Sequence, residues 1–386
     1  VTRHPERAEF YLQRLLGEIG LHGKLFDKDR KVSQLHMGGG TPTYFDDQQL
    51  GRLFSGMSES FQLVTDGTQE YSIELDPRTV NADRLHSIAA LGFNRISLGV
   101  QDFDEDVQKA VNRIQPVELT LDLIKEAPST GIESVSVDLI YGLPLQTLDS
   151  FSRTLDLMIE ARPDRLAIYS YAHMPQLFRA QRLIRAEDLP DPAARLEILQ
   201  LIVNRLIGAG YVYIGMDHFA LPDDELCVAM NNDRLQRNFQ GYSTHAGSDL
   251  IGLGSSAISK VGSCYSQYVK SVQRYNTSIE AGELPVERGL MMSDEDHLRG
   301  RIIQQIMCGG LVYFDRLEEE FSIDFRNHFS AELDAMGVLE NDGLVELSTN
   351  QLAVSDTGRF LLRAIAMVFD EYIQKDGTGK RFSRIV

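Results

Sequence analysis

The feature that most constrains this chain is a rhythm. From about Ser33 to Tyr171, short β-rich runs alternate with helical patterns. The predicted strands are Gln34–Met37, Tyr71–Leu75, Arg95–Val100, Ser134–Leu139 and Arg165–Tyr171. They are rich in Ile, Val, Leu and Tyr and short enough to be buried parallel strands. The predicted helices Asp46–Phe61, Val80–Leu91, Leu119–Lys125 and Leu148–Ala161 lie between them. In Val80–Leu91, the residues Leu85, Ile88, Ala89 and Leu91 make one apolar face, and Gly92 follows where a C-cap glycine belongs. Repeated βα units restrict the fold to α/β: a parallel sheet with right-handed crossovers, either doubly wound or closed toward a barrel.

Beyond His173 the rhythm changes. Leu189-Pro190-Asp191-Pro192 breaks the chain, and Pro192–Ala209 reads as a long helix ending at Gly210. Tyr211–Gly215 and Ser248–Ile251 read as strands, and Ala281–Arg288, with Gly282 and Pro285, as a linker. Ser293–Cys308 and Arg326–Met336 read as helices, Leu344–Leu347 with Gln351–Val354 as a hairpin, and Thr357–Tyr372 as a final helix. Helices followed by a hairpin make a small winged-helix-like module. Such modules commonly bind DNA. Here 38 basic against 56 acidic residues, a net charge of −18, argue for a packing or lid role and against nucleic acid. No apolar run of about 18 residues suggests a membrane span. Val1–Glu9 is too polar for a signal peptide. Cys227, Cys264 and Cys308 lie dozens of residues apart, which is neither a disulfide framework nor a C-x-x-C metal knuckle. So few cysteines fit a reducing cytoplasm.

Several features could carry chemistry. Gly38-Gly39-Gly40-Thr41-Pro42-Thr43 follows a strand and precedes a helix, and bare glycines let backbone approach a ligand. It lacks the Lys-Ser/Thr of a phosphate-gripping loop, and the plainer reading of the residues alone is a tight β-to-α turn. Glu74, Gln101 and Asp138 sit at or near the C-terminal ends of successive strands. In a parallel barrel those ends line the active-site mouth, and an acid inside an apolar strand is costly to bury without a partner. Structural hydrogen bonds to loops are the other reading. Gly252-Leu253-Gly254-Ser255-Ser256-Ala257 loosely matches a dinucleotide fingerprint, but it lies late in the chain and Glu280 is too far along to hold a ribose. A packing turn or a minor wall of a ligand site fits better. Asp217-His218 could be an acid–base or a structural pair. No H-E-x-x-H or G-x-S-x-G occurs. Arg95, Arg113, Arg179, Arg182 and Arg185 could gather locally against a polyanionic substrate, or form a solvated face.

Several strings together resemble one family. They are Gln34-Leu35-His36-Met37-Gly38-Gly39-Gly40-Thr41-Pro42-Thr43, Ile73-Glu74-Leu75-Asp76-Pro77, Gly99-Val100-Gln101-Asp102-Phe103, Val111-Asn112-Arg113, Asp138-Leu139-Ile140-Tyr141-Gly142-Leu143-Pro144, Tyr171-Ala172-His173, Gly215-Met216-Asp217-His218-Phe219 and Asn238-Phe239-Gln240-Gly241-Tyr242. The chain is similar to the bacterial oxygen-independent coproporphyrinogen III oxidases (dehydrogenases), radical S-adenosylmethionine enzymes of haem biosynthesis. The resemblance keeps order from end to end, through Phe382-Ser383-Arg384-Ile385. It implies a partial, six-strand (β/α) barrel over residues 1–285 with a β extension, followed over 286–386 by the winged-helix-like domain. It implies a 4Fe-4S cluster held by C-x3-C-x2-C after the first strand, fed by an electron donor. It also implies two S-adenosylmethionine molecules. The cluster's electron yields a 5′-deoxyadenosyl radical that abstracts hydrogen from a propionate of coproporphyrinogen III. Loss of carbon dioxide and one electron leaves a vinyl group, and two propionates react. Gly38, Gly39 and Gly40 would contact S-adenosylmethionine through backbone. Glu74 would hold the first molecule with Ile258 packed near it, and Gln101, Arg113, Asp138 and Ala172 would line the second. The family implies a monomer; the cytoplasm and the lack of a membrane or nucleic-acid partner are expected from the composition above.

One departure stands out. No C-x3-C-x2-C occurs in these 386 residues, and the chain begins with Val1 rather than Met. Val1-Thr2-Arg3 resembles the segment just after the cluster loop, so the first barrel strand and the cluster ligands are expected upstream. A polypeptide of this sequence alone is expected to hold no cluster, to be inactive, and to expose a barrel edge. The competing readings are a haem chaperone of the same superfamily, a cluster-free tetrapyrrole binder and, resting only on Gly252, a nicotinamide dehydrogenase. Asn238-Phe239-Gln240-Gly241-Tyr242 and the C-terminal module favour the oxidase.

Overall fold

The computed structural model describes residues 5–376. Val1-Thr2-Arg3 and Phe382-Ser383-Arg384-Ile385 lie outside them. The chain divides into two compact units that alternate along the sequence. The first comprises Val1–Tyr169, Ile184–Pro190 and Asp249–Met291; the second comprises Ser170–Leu183, Asp191–Ser248 and Met292–Val386.

The first unit opens with helix α1 (Pro5–His22), which the sequence reading passed over. There follow β1 (Gln34–Met37), α2 (Asp47–Ser60), β2 (Glu70–Leu75), α3 (Ala82–Ala90), β3 (Arg95–Gln101), α4 (Glu105–Ala110), α5 (Val117–Thr130), β4 (Ser134–Tyr141), α6 (Leu148–Ala161) and β5 (Arg165–Ser170). Local chemistry starts these helices. Asp46 caps α2 and Thr147 caps α6, each in a reciprocal capping box. The strands β1, β2, β3 and β4 pair in parallel in that order, with Leu35 opposite Tyr71, Ile73 opposite Ile96 and Leu98 opposite Val137. Leu12, Ile19, Leu53 and Met57 pack α1 on α2, with Leu35 and Met37 of β1 beneath.

The two faces of this sheet differ. Tyr71, Ile73, Leu75, Ile96, Leu98, Val100, Val135, Val137 and Leu139 are buried on one. The alternate positions are Ser72, Glu74, Ser97, Gly99, Gln101, Ser136 and Asp138, all half-buried. A parallel sheet covered on both faces by core reads as continuous apolar runs. This one does not, so its second face is kept for polar work.

Three expectations are corrected. Helix α5 does not stop at Lys125: it runs to Thr130 with Pro128 inside and ends on Gly131 at φ 94°. Pro128 falls in the last turn, where it forfeits one ladder bond while buried Ala127 still packs. Ser248–Ile251 is not a strand but a single bridge, Leu250 to Lys260. Ala281–Arg288 is not a linker, because Val286–Met291 pairs antiparallel with Cys264–Tyr268. That strand in turn pairs with Ile258–Val261, and the helix Val272–Glu280 stands between the second and third strands in sequence. Gly282 and Pro285 mark a loop rather than a joint between domains.

In the second unit, Pro192–Gly208 is helical and the hairpin Val212–Gly215/His218–Ala220 turns through Met216 and Asp217, both at positive φ. Helix Asp294–Cys308 packs on a three-stranded sheet in which Gln351–Val354 lies between Leu311–Tyr313 and Val345–Leu347. Ile302, Ile306, Phe314, Phe325, Phe329, Leu352 and Phe369 form its core. The predicted helix Arg326–Met336 is two, broken between His328 and Ser330, and Phe314–Phe321 is an additional helix. Thr357–Tyr372 is likewise interrupted: a 3-10 turn Gly358–Leu361, a helix Leu362–Met367 and another from Glu371 to Asp376. Among the described residues no helix is long and apolar enough to cross a membrane.

Candidate active site

The polar face of the sheet meets the glycine turn after β1. A Cβ on Gly38 would lie 2.5 Å from Glu74 Oε1 and 2.6 Å from His36 Nε2, so any side chain here would push both groups off the turn. Gly39 and Gly40 follow at φ 76° and 78°, the left-handed region that glycine enters freely. The Gly39 N–H donates to Glu74 Oε2 at 3.1 Å, and a Cβ on Gly39 would meet nothing within 4 Å, so the turn presents bare backbone to open space. His36 Nδ1 lies 2.7 Å from Ser72 Oγ, and its Nε2 lies 3.4 Å from Glu74 Oε1. Burial raises the Glu74 carboxyl, but the His36 hydrogen bond, the His36 charge and the Gly39 N–H together outweigh it and hold the group below its ordinary range.

One strand over, Ser97 Oγ donates to Asp138 Oδ2 at 3.1 Å. Burial pushes the Asp138 carboxyl up to about 6, with the nearby Glu74 charge adding to the rise and Ser97 and His36 opposing it. Asp138 is the register partner of Gly99. The Gly99 carbonyl accepts from Arg113 Nη2 at 2.6 Å, and Arg113 Nη1 lies 3.5 Å from Asp76 Oδ2. Arg113 Nε is buried without a hydrogen-bond partner. Gln101 closes β3 at φ 76°, strained for a residue with a side chain, at a bulge in the β3–β4 pairing. Asn112, at φ 54°, turns the chain into Arg113.

The structure therefore gathers Gly38, Gly39, Gly40, Glu74, Gln101, Arg113 and Asp138 along one sheet face and its edge. Sequence reasoning missed His36, Ser97 and Asp76. Their signal was the period-2 run of small or polar residues along β1 to β4, which Asp76 continues just past β2. Ile258 begins the antiparallel strand Ile258–Val261, its backbone against Gly252. Ala172 belongs to the second unit, where its carbonyl accepts from Gln181 Nε2 at 3.0 Å. The Gly252 turn leads into a strand, whereas a dinucleotide fingerprint must open a helix, so the nicotinamide reading loses its one support. In the second unit, His218 Nδ1 lies 2.6 Å from the Met216 carbonyl. Burial pushes Asp217 up to about 6, against the charges of Arg363 and Arg237.

Residues 11–158 match the family model described as the radical SAM superfamily, and residues 292–361 match the HemN C-terminal domain. The oxygen-independent coproporphyrinogen III oxidase of Pseudomonas aeruginosa is 45% identical over 386 residues, which is all of this chain and 84% of that protein. That of Escherichia coli is 42% identical over the same span. The chain belongs to the oxygen-independent coproporphyrinogen III oxidase family. A solved structure of the E. coli coproporphyrinogen III oxidase, described as a radical SAM enzyme, superposes with a TM-score of 0.94 at 43% identity, over 96% of this chain and 85% of that one. The first unit's sheet is thus part of a radical SAM fold, and the chain ends in the family's C-terminal domain.

Two groups implied by this family can be tested against the residues present. S-adenosylmethionine fits: it carries a sulfonium, an ammonium, hydroxyls and a carboxylate. The open glycine backbone, the paired acids Glu74 and Asp138, and the unsatisfied Arg113 Nε offer matching chemistry. An iron–sulfur cluster does not fit the described residues. No three His, Cys, Asp or Glu side chains gather there as a metal site. Cys227 and Cys308 are buried in one apolar cluster, and burial pushes the Cys308 thiol up to about 12, away from the thiolate that iron needs.

Proposed function

We propose that this chain serves the oxygen-independent oxidative decarboxylation of two propionates of coproporphyrinogen III, giving the vinyl groups of protoporphyrinogen IX in haem biosynthesis. The observation that carries the reading is the Gly38–Glu74–Asp138 face, in a chain that an oxygen-independent coproporphyrinogen III oxidase matches over its whole length. Gly38, Gly39 and Gly40 offer backbone to S-adenosylmethionine, and Glu74, ionised and aimed by His36 and Gly39, holds its polar end. Ile258 packs near that molecule, while Gln101, Arg113 and Asp138 line a second. S-adenosylmethionine, with a cluster and an electron donor, supplies one-electron chemistry when bound. Glu74 and Asp138 keep two neighbouring carboxyls in different states, one ionised well below neutrality and one titrating near 6.

The parallel sheet fits a partial, six-strand (β/α) barrel whose first strand would lie beside β1, which ends the strand order. The functional division follows the β extension to its last strand: residues 1–291 serve as the radical module and 292–386 as the C-terminal winged-helix-like domain. We place the protein in the cytoplasm as a monomer, without membrane or nucleic-acid partners. The test is anaerobic complementation: the gene, with whatever coding sequence precedes Val1, is introduced into a bacterium lacking its oxygen-independent oxidase. Growth without added haem supports the reading. Haem binding by the purified protein without such growth would replace it with a haem-carrier function.

A further inference from the structure

Helix α1 carries a carboxyl that the site above does not use. Glu18 is fully buried. Its two oxygens accept the Gly254 N–H at 2.9 and 3.2 Å, and Oε2 also accepts the Tyr275 hydroxyl at 2.5 Å. The turn it grips leaves little freedom. Gly254 sits at φ 97°, where a Cβ would lie 2.7 Å from Tyr11 Oη, and that oxygen accepts the Ser255 N–H at 3.1 Å. The Ser256 N–H donates to the Val269 carbonyl and the Gly252 N–H to Ser259 Oγ, both at 2.9 Å. Beside Glu18, His22 Nε2 lies 2.7 Å from Tyr268 Oη and 3.9 Å from Glu18 Oε1, while His22 Nδ1 is buried without a partner. The adjoining face of α1, which packs on α2, is apolar, with Leu12 and Ile19 buried and Leu15 and Leu16 half-buried against them. A methionine or leucine would fill Glu18's place without the penalty of burying a carboxyl. What an apolar side chain cannot do is hold a peptide N–H in a set direction.

We propose that Glu18, assisted by Tyr275, is a positioning residue that fixes the Gly252–Ile258 turn and thereby the backbone from which Ile258 meets S-adenosylmethionine. This rests on the reading of Ile258 as part of that site. Glu18 is faced by Tyr11 and His22 from its own helix, Tyr275 from the helix Val272–Glu280, Tyr268 from the strand Cys264–Tyr268 and the Gly254 N–H from the turn. Burial pushes its carboxyl up to about 7, against the Tyr275 and Gly254 hydrogen bonds. Burial lowers His22, which favours its neutral form. An ionised Glu18 accepts from both donors. A protonated one turns an acceptor into a donor and loses a tie. The grip is therefore present above about pH 7 and weakens below it.

The experiment compares the full chain with Tyr275→Phe and Glu18→Gln. Amide hydrogen exchange of residues 252–258 is followed without ligand, and S-adenosylmethionine is titrated calorimetrically between pH 6 and 8.5. Losing one hydrogen bond to a charged group predicts roughly tenfold faster exchange in the turn. Protection in α1 and in Cys264–Tyr268 is retained. S-adenosylmethionine affinity falls severalfold in both variants. In the unaltered chain, affinity and turn protection decline together toward pH 6, and Glu18→Gln flattens that decline. Unchanged turn exchange and unchanged affinity in the variants would overturn the proposal. Absence of S-adenosylmethionine binding, or binding without protection of 252–258, would remove the Ile258 reading and the proposal with it, while ligand-free exchange shows separately whether Glu18 holds the turn. Should Glu18→Gln fail to fold, Tyr275→Phe, which deletes a single hydroxyl, decides.

Discussion

At the scale of single residues, the site is an exercise in fitting carboxyls to small neighbours. Gly38→Ala places a methyl against Glu74 and His36, so both side chains must move off the turn. Because the colliding atoms are side-chain ends, the fold should survive with a melting temperature changed by only a few degrees. S-adenosylmethionine affinity should fall about tenfold, the scale of one lost charged hydrogen bond, which calorimetric titration would show. Asp138 gives a pH signature. Its folded pKa, raised to about 6, stands above its value in an unfolded chain. Between roughly pH 4 and 6 the folded state holds a proton the unfolded state has released, so this group's contribution to stability drops as pH rises through that window. Asp138→Asn should remove that slope and leave the protein roughly 1–3 kcal/mol more stable at pH 8, read from urea midpoints. Glu74, Gln101 and Asp138 were legible in the sequence because they interrupt apolar strands. Ser97 and Ser72 interrupt them too, but a serine in a strand is unremarkable by itself. Only the shared phase across three strands reveals the face. Glu18 left no signal at all, since an acid on an amphipathic helix reads as solvent-facing.

At the scale of elements, the βα rhythm predicted β1 to β4 within a residue or two, because buried parallel strands and capped helices are written locally. Errors arose where packing overrode punctuation. The helix expected to end at Lys125 runs on through Pro128 in α5, and Gly282 with Pro285 suggested a linker where a strand begins at Val286. Pro128→Ala restores the N–H that α5 lacks in its last turn and removes the ring clash with the preceding turn. It should stabilise the protein by about 1 kcal/mol, less than the mid-helix value because the site is near the helix end, and chemical denaturation would measure it. A result below zero would mean that the ring packs better against its neighbours than the missing bond harms.

At the scale of the whole molecule, the two units could not be read from the sequence. Residues 249–291 join the first unit through contacts such as Arg30 with Asp249 and Glu18 with Gly254, pairings that leave no periodic trace. The scarcity of suitable cysteines carries its own prediction. A polypeptide of these 386 residues, purified anaerobically and supplied with iron and sulfide, should retain well under one iron per chain and show no charge-transfer absorption near 400 nm on the order expected for a thiolate-bound cluster, because Cys227 and Cys308 are buried as thiols. Stoichiometric iron would show that three scattered cysteines can be recruited after all. The tie between α1 and the Gly252–Ile258 turn also has a history in time. Glu18 and its Gly254 partner stand 236 residues apart in the chain. At ~5–20 residues per second, synthesis separates them by on the order of ten seconds or more. Throughout that interval the nascent helix carries a hydrated, ionised carboxylate where its finished structure has none exposed. Helix α1 is therefore sealed late, and its Glu18 side must stay open until the Gly254 turn has been made.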